Sequence, residues 1–211
     1  MDIIKKIPYK FIGTILGYVI LLLILSVNSR VPIFSTGFLF DVLFIIGFVS
    51  FFYLTIKNEL AKNIVFTVIG AIFTTLLVID HIYYKNFLKF SSITSLNNLG
   101  LVTDNMDQYG IKLDGISALM IIVYAILVVF LFIIKKENGN LKQRLYYLIP
   151  TLFLFMPFIF TYIMAYNDVT KLGIIIYRPS YSFPEFVKNF GYIVYRYEDI
   201  ACVIDSIGGN L

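Results

Sequence analysis

The sequence predicts an all-α, polytopic membrane protein: five transmembrane helices with interfacial amphipathic helices beside them. Three observations lead there. Hydrophobic residues make up 59% of the 211 and charged residues only 14%, against about 45–50% and about 25% in a soluble domain. Five apolar runs recur, each close to the roughly 20 residues that cross about 30 Å of hydrocarbon. Lysine and arginine gather in the short segments between alternate runs, as on the cytoplasmic side of a membrane.

The first span covers 11–27 and follows Lys5, Lys6 and Lys10. It is longer than the apolar stretch of a secretory signal. No small-x-small cleavage site follows in VNSRVP, so the run reads as a retained anchor. The second span covers 38–56, with Asp41 near its start, and Lys57, Asn58, Glu59 and Lys62 make a tight polar turn after it. The third covers 64–83 and carries a polar cluster at its end. The fourth, 116–134, stops at Lys135 and Lys136, and a polar loop runs to Arg144. The fifth covers 145–166 and holds Pro150 and Pro157, seven apart and so on nearly one face. A kinked helix is expected there, because neighbouring helices can satisfy the carbonyls that proline frees. Together these runs define a transmembrane domain over 1–170 and a juxtamembrane segment over 171–211.

Orientation follows from charge. With the N-terminus cytoplasmic, the short inner segments hold Lys5, Lys6, Lys10, Lys57, Lys62, Lys135, Lys136, Lys142 and Arg144. The remaining basic residues are spread through longer outer segments. Five crossings then put the C-terminus outside. The net charge of +4 is small and divided among loops, so it speaks for orientation and not for nucleic acid. The lone cysteine, Cys202, supports neither an intrachain disulfide nor a cysteine-based metal site.

Two stretches are expected at the membrane surface. In 87–99, Phe87, Phe90, Ile93, Leu96 and Leu99 recur every third position, which suits a short interfacial helix. Asp104 to Gly110 is a turn. In 183–204, Phe183, Phe186, Val187, Phe190, Val194, Tyr197, Ala201 and Ile204 fall on one stripe of an amphipathic helix. Gly208, Gly209 and Asn210 read as a flexible exit.

The richest chemistry lies in DHIYYKNFLKF, Asp80 to Phe90. It holds the only histidine, His81, beside Asp80, then Tyr83, Tyr84 and Lys85. Charge is costly within a bilayer, so such a cluster belongs at the interface or in a protein-lined cavity. Asp80 and His81 read as interfacial residues with partners in the outer loops; the alternative is direct contact with a substrate. Tyr195, Arg196 and Tyr197 repeat the mixture of tyrosine and base on the same side. These eight residues are expected to form one headgroup-level surface, with a lipid phosphate between Lys85 and Arg196. Lys89, Arg178 and Lys188 add outer cations. No catalytic constellation is legible: there is no phosphate-cradling loop, no paired Cys or His at metal-ligand spacing and no nucleophile elbow.

YYKNF after the third span, with Tyr83, Tyr84, Lys85 and Phe87, resembles the lipoteichoic acid synthase family. So does FVKNFGYIVYRYEDI after the fifth, with Lys188, Asn189, Gly191, Tyr195, Tyr197 and Asp199. That family comprises sulfatase-like phosphoglycerol transferases with a five-helix membrane portion. The resemblance implies a cell-membrane protein that meets anionic lipid such as phosphatidylglycerol and serves glycerol-phosphate polymer synthesis in the cell envelope. The family's threonine nucleophile and manganese site belong to an extracellular catalytic domain, and no residue here matches them. Manganese is therefore expected only with such a domain attached, in cis or in trans; no cofactor is expected in this chain. A non-enzymatic membrane scaffold is the alternative. A small transporter is disfavoured by the scarcity of ionisable residues within the spans.

Overall fold

A computed structural model of the chain describes residues 9–92, 113–134, 146–168 and 183–207. Four long helices come first: α1 (Tyr9–Asn28), α2 (Thr36–Thr55), α3 (Glu59–Phe87) and α4 (Gly115–Ile133). Each is long and apolar enough to cross a membrane. Then come α5 (Leu148–Thr151), a 3-10 turn at Leu152–Leu154, α6 (Met156–Asp168), α7 (Phe183–Phe190) and α8 (Tyr192–Ile207).

Local chemistry sets the helix starts. Ser35 Oγ accepts from the Phe38 N–H at 3.2 Å, Asn58 from Leu60 at 2.9 Å and Asp114 from Ser117 at 3.0 Å. Each satisfies an N–H that has no partner within its helix. α3 stops where Leu88 turns left-handed at φ 55.

α1 is the central helix. Tyr18, Leu21, Leu22 and Leu25 are buried on it, while Leu16, Ile20 and Val27 face outward. It packs against α2, α3 and α4. The antiparallel neighbours give the bundle two ends, named here for Tyr9 and for Asp80. At the Tyr9 end Glu59 joins Lys10 at 2.8 Å and Lys62 at 3.0 Å. Phe66 of α3 meets Phe52 and Tyr53 of α2 there, each with ring centroids 5.8 Å apart.

The expected spans 11–27, 38–56, 64–83 and 116–134 correspond to α1 to α4 within a few residues, except that α3 is longer at both ends. The expected fifth span, a kinked helix over 145–166, is interrupted more sharply than a kink: the run is divided into α5, a 3-10 turn and α6. Pro157 has no N–H to give the carbonyl of Phe153, and its ring crowds that carbonyl, which favours a break in the turn before it. The break sits where a Cβ on Gly47 of α2 would strike the backbone of Leu154. The broken run still follows α2 along its length. Tyr147 packs on Phe11 and Tyr53 at the Tyr9 end, Phe158 on Phe44, and Phe160 on Phe40 towards the other end.

Two surface expectations also change. The single helix over 183–204 is two helices divided at Gly191. The interfacial helix over 87–99 does not form at 88–92, which follow the end of α3 as non-helical chain. Residues 93–99, the turn at 104–110, Arg178, the loop at 135–145 and the exit at 208–211 lie outside the described residues.

Candidate functional site

The Asp80 end carries a platform made of α7 and α8. Its hinge is Gly191, at φ +94, a conformation that glycine adopts without steric cost. A Cβ there would lie 2.6 Å from both Asp41 Oδ1 and the Gly37 carbonyl oxygen. Gly37 is equally close to the end of α7, where a Cβ would run into the Val187 carbonyl oxygen. The two glycines thus bring the α7–α8 corner down onto the start of α2. The corner breaks open the backbone N–H groups at the start of α8, and Asp41 receives them: Tyr192 N–H at 2.7 Å and Ile193 N–H at 2.9 Å. A carboxyl group 151 residues earlier in the chain does the work of an N-cap.

One turn along α8 is a closed ionic knot. Asp80 is fully buried. Its Oδ1 pairs with Arg196 Nη2 and accepts from Ser91 N–H at 2.9 Å and Ser91 Oγ at 2.7 Å. Its Oδ2 accepts from the Tyr192 hydroxyl at 2.5 Å. Arg196 uses its remaining donors on the Tyr192 oxygen at 3.2 Å, the Ser91 carbonyl at 2.6 Å, Ser91 Oγ at 3.1 Å and Asp199 at 3.3 Å. Ser92 Oγ closes the circuit by donating to Asp199 at 2.6 Å. All five guanidinium N–H groups are engaged. Burial and then the adjacent Asp80 charge push the Tyr192 hydroxyl's pKa well up, so it stays a donor. Burial acts against the Arg196 charge, but Tyr192 and Asp80 more than offset it and hold the guanidinium protonated.

The other half of the Asp80 cluster has a different partner. His81 Nε2 lies 3.0 Å from Asp114 Oδ2, and Lys85 Nζ lies 3.2 Å from the same oxygen. Asp114 is also the cap of α4. Partial burial disfavours its charge, yet Ser117, His81 and Lys85 prevail and hold its carboxyl well below the usual range.

The eight residues expected to share one surface are therefore divided. Asp80 and Arg196 meet directly, and Tyr195 lies under the guanidinium at 5.4 Å. His81 and Lys85 go to Asp114. Tyr83 packs on Phe87 in a tilted pair and Tyr84 meets Phe90 edge-on, and Phe90 in turn meets Tyr192 and Tyr195. Tyr197 points away, half exposed, with its ring on Phe158. A phosphate bridging Lys85 and Arg196 does not fit this geometry, because Arg196 is buried and has no free donor. Asp41, Ser91, Tyr192 and Asp114 went unassigned in the sequence. The spacing of Tyr192, Arg196 and Asp199, which shares one helical face, was the available signal.

α8 is inverted relative to a helix docked from water. It buries Arg196 and Asp199 against the bundle and exposes Tyr197, Ile200 and Ile204. Of the apolar stripe, Phe186, Val187, Phe190 and Val194 are buried against the bundle, whereas Tyr197 and Ile204 are exposed. This is the arrangement that lipid imposes, with ionisable groups inward and apolar groups outward. Comparison with known families, curated proteins and solved structures gives no match. Among the described residues no group of three His, Cys, Asp or Glu is placed to hold a metal. The knot joins α3, the chain after it and α8, and chemically it is a lock.

Proposed function

We propose that this chain is the membrane-anchoring, lipid-presenting portion of a lipoteichoic acid synthase-like phosphoglycerol transferase, contributing no catalytic group of its own. The observation that carries the reading is the double fastening of α8, by Asp41 at its start and by Asp80 through Arg196 one turn later. An anchor that only held a domain near the membrane would need no such fixed platform. A platform that sets the direction of a catalytic domain, in cis or in trans, does need one. The course of the broken fifth run along α2 supports a fifth crossing. With the basic residues of the Tyr9 end cytoplasmic, α7 and α8 then lie on the outer surface, beside anionic lipid such as phosphatidylglycerol. Two measurements test the proposal. Deleting the chain from its native cells should lower incorporation of labelled glycerol into envelope glycerol-phosphate polymer several-fold, and unchanged incorporation rejects the reading. The purified chain, with phosphatidylglycerol and manganese, should release no glycerol phosphate; metal-dependent turnover that survives repurification would reveal a catalytic site of its own.

A further inference from the structure

α2 and α3 both lie against α1, but they meet each other closely only at the Tyr9 end, through Phe52, Tyr53 and Phe66. Towards the Asp80 end they part and leave a cavity of about 170 Å³. Phe44 and Phe48 form one wall, and Ile69, Phe73 and Leu76 form the other. These wall residues are half-buried, so the cavity opens sideways between two helices whose outer faces carry Leu39, Phe51, Val68 and Ile72. Tyr18 makes the floor, and Tyr192, Ile193 and Arg196 make a roof.

No lining side chain invites water. The Tyr18 hydroxyl donates to the Phe66 carbonyl at 2.8 Å, the Tyr192 hydroxyl donates to Asp80, and every Arg196 donor is engaged. An apolar cavity of about 150 Å³ lined by Leu, Ile and Phe stays dry and accepts a hydrocarbon. A partner helix, about 10 Å across, is too wide for this space. From Ile69 to Leu76 the wall rises about 10 Å, within the roughly 15 Å that half of a 30 Å hydrocarbon core provides.

We propose that this cleft is a binding site for one acyl chain of a bilayer lipid from the leaflet on the Asp80 side. The chain enters sideways between α2 and α3 and lies beneath Tyr192, so that the seat of α8 is completed by lipid. The inference rests on the membrane placement in the functional reading above and not on its polymer chemistry.

The protein has no tryptophan, so a single substitution supplies a clean fluorescent reporter. Phe48→Trp places it in the cleft wall. Phe132→Trp, half exposed on α4 and remote from the cleft, is the control. Both are reconstituted in phosphatidylcholine vesicles with rising fractions of dibrominated phosphatidylcholine. Quenching of the Phe48→Trp protein should rise in proportion to the brominated fraction, as for one lipid chain. The control should follow the steeper dependence of a residue touched by several lipids. Adding Ile69→Phe, or Leu76→Phe if the first fails to fold, should reduce quenching of the Phe48→Trp reporter at least twofold and leave the control unchanged. Quenching of the control alone, or quenching in the cleft that neither filling substitution reduces, overturns the site. Quenching at neither position overturns the membrane placement and the site with it.

Discussion

Arg196 shows how a residue that reads as a ligand group becomes a structural one. Removing one member of a buried ion pair strands the other, at a cost of about 3–5 kcal/mol, whereas replacing both with apolar groups is often nearly neutral. Asp80→Leu alone should therefore destabilise the protein severely. Asp80→Leu combined with Arg196→Met should recover much of that loss in thermal unfolding measured in detergent. Additive losses would mean that the two groups act separately. Asp114 gives a pH prediction. Ser117, His81 and Lys85 hold its folded-state carboxyl below the unfolded value. Its stabilisation is therefore complete above about pH 4 and is lost as the folded carboxylate takes up a proton in stronger acid. The difference in melting temperature between wild type and Asp114→Asn should be largest near neutrality and should shrink as pH falls below about 4. A difference independent of pH would show that the carboxylate charge contributes nothing.

At the scale of elements, the corner between α7 and α8 depends on contacts that a helix propensity cannot encode. Asp41 caps a helix from another element, and both N–H groups lose their acceptor when it is truncated. Asp41→Ala should cost about 1–2 kcal/mol, the upper part of the range for a lost cap. Limited proteolysis should then cut α7–α8 before the four-helix bundle. Simultaneous loss of both would show that platform and bundle unfold as one unit. The inversion of α8 follows from the same fastening. Once Arg196 and Asp199 are drawn to Asp80 and Ser92, the opposite face, with Ile200 and Ile204, is left exposed.

At the scale of the whole molecule, the bundle has a basic, Glu59-centred end and an Asp80 end closed by α8. Cysteine labelling can assign the sides in intact cells, in a Cys202→Ser background, since Cys202 is exposed. Lys57→Cys and Phe34→Cys place exposed thiols at the Tyr9 and Asp80 ends respectively. An impermeant reagent should label Phe34→Cys from outside and leave Lys57→Cys unlabelled. The reverse pattern would invert the topology.

The sequence by itself determined the solvent and most of the elements. Runs of about 20 apolar residues have one cheap environment, and their ends are written locally in Ser35, Asn58 and Asp114. It also marked Asp80 and Arg196 as important, because ionisable groups beside apolar runs need an explanation. What they do was decided only in three dimensions. Asp80 meets Arg196 116 residues later, and no local rule links them or assigns Asp41 to the start of α8. The break at Gly191 was hidden for a related reason: the apolar spacing of 183–204 runs smoothly through it, and only the close approach of Gly37 shows why the helix must turn there. Tyr197 and Ile204 belong to the apolar stripe of 183–204, and spacing alone leaves open whether that stripe meets the membrane or the bundle. Beside lipid the polar face is the one to be buried, and the choice between the two was made by where α8 docks.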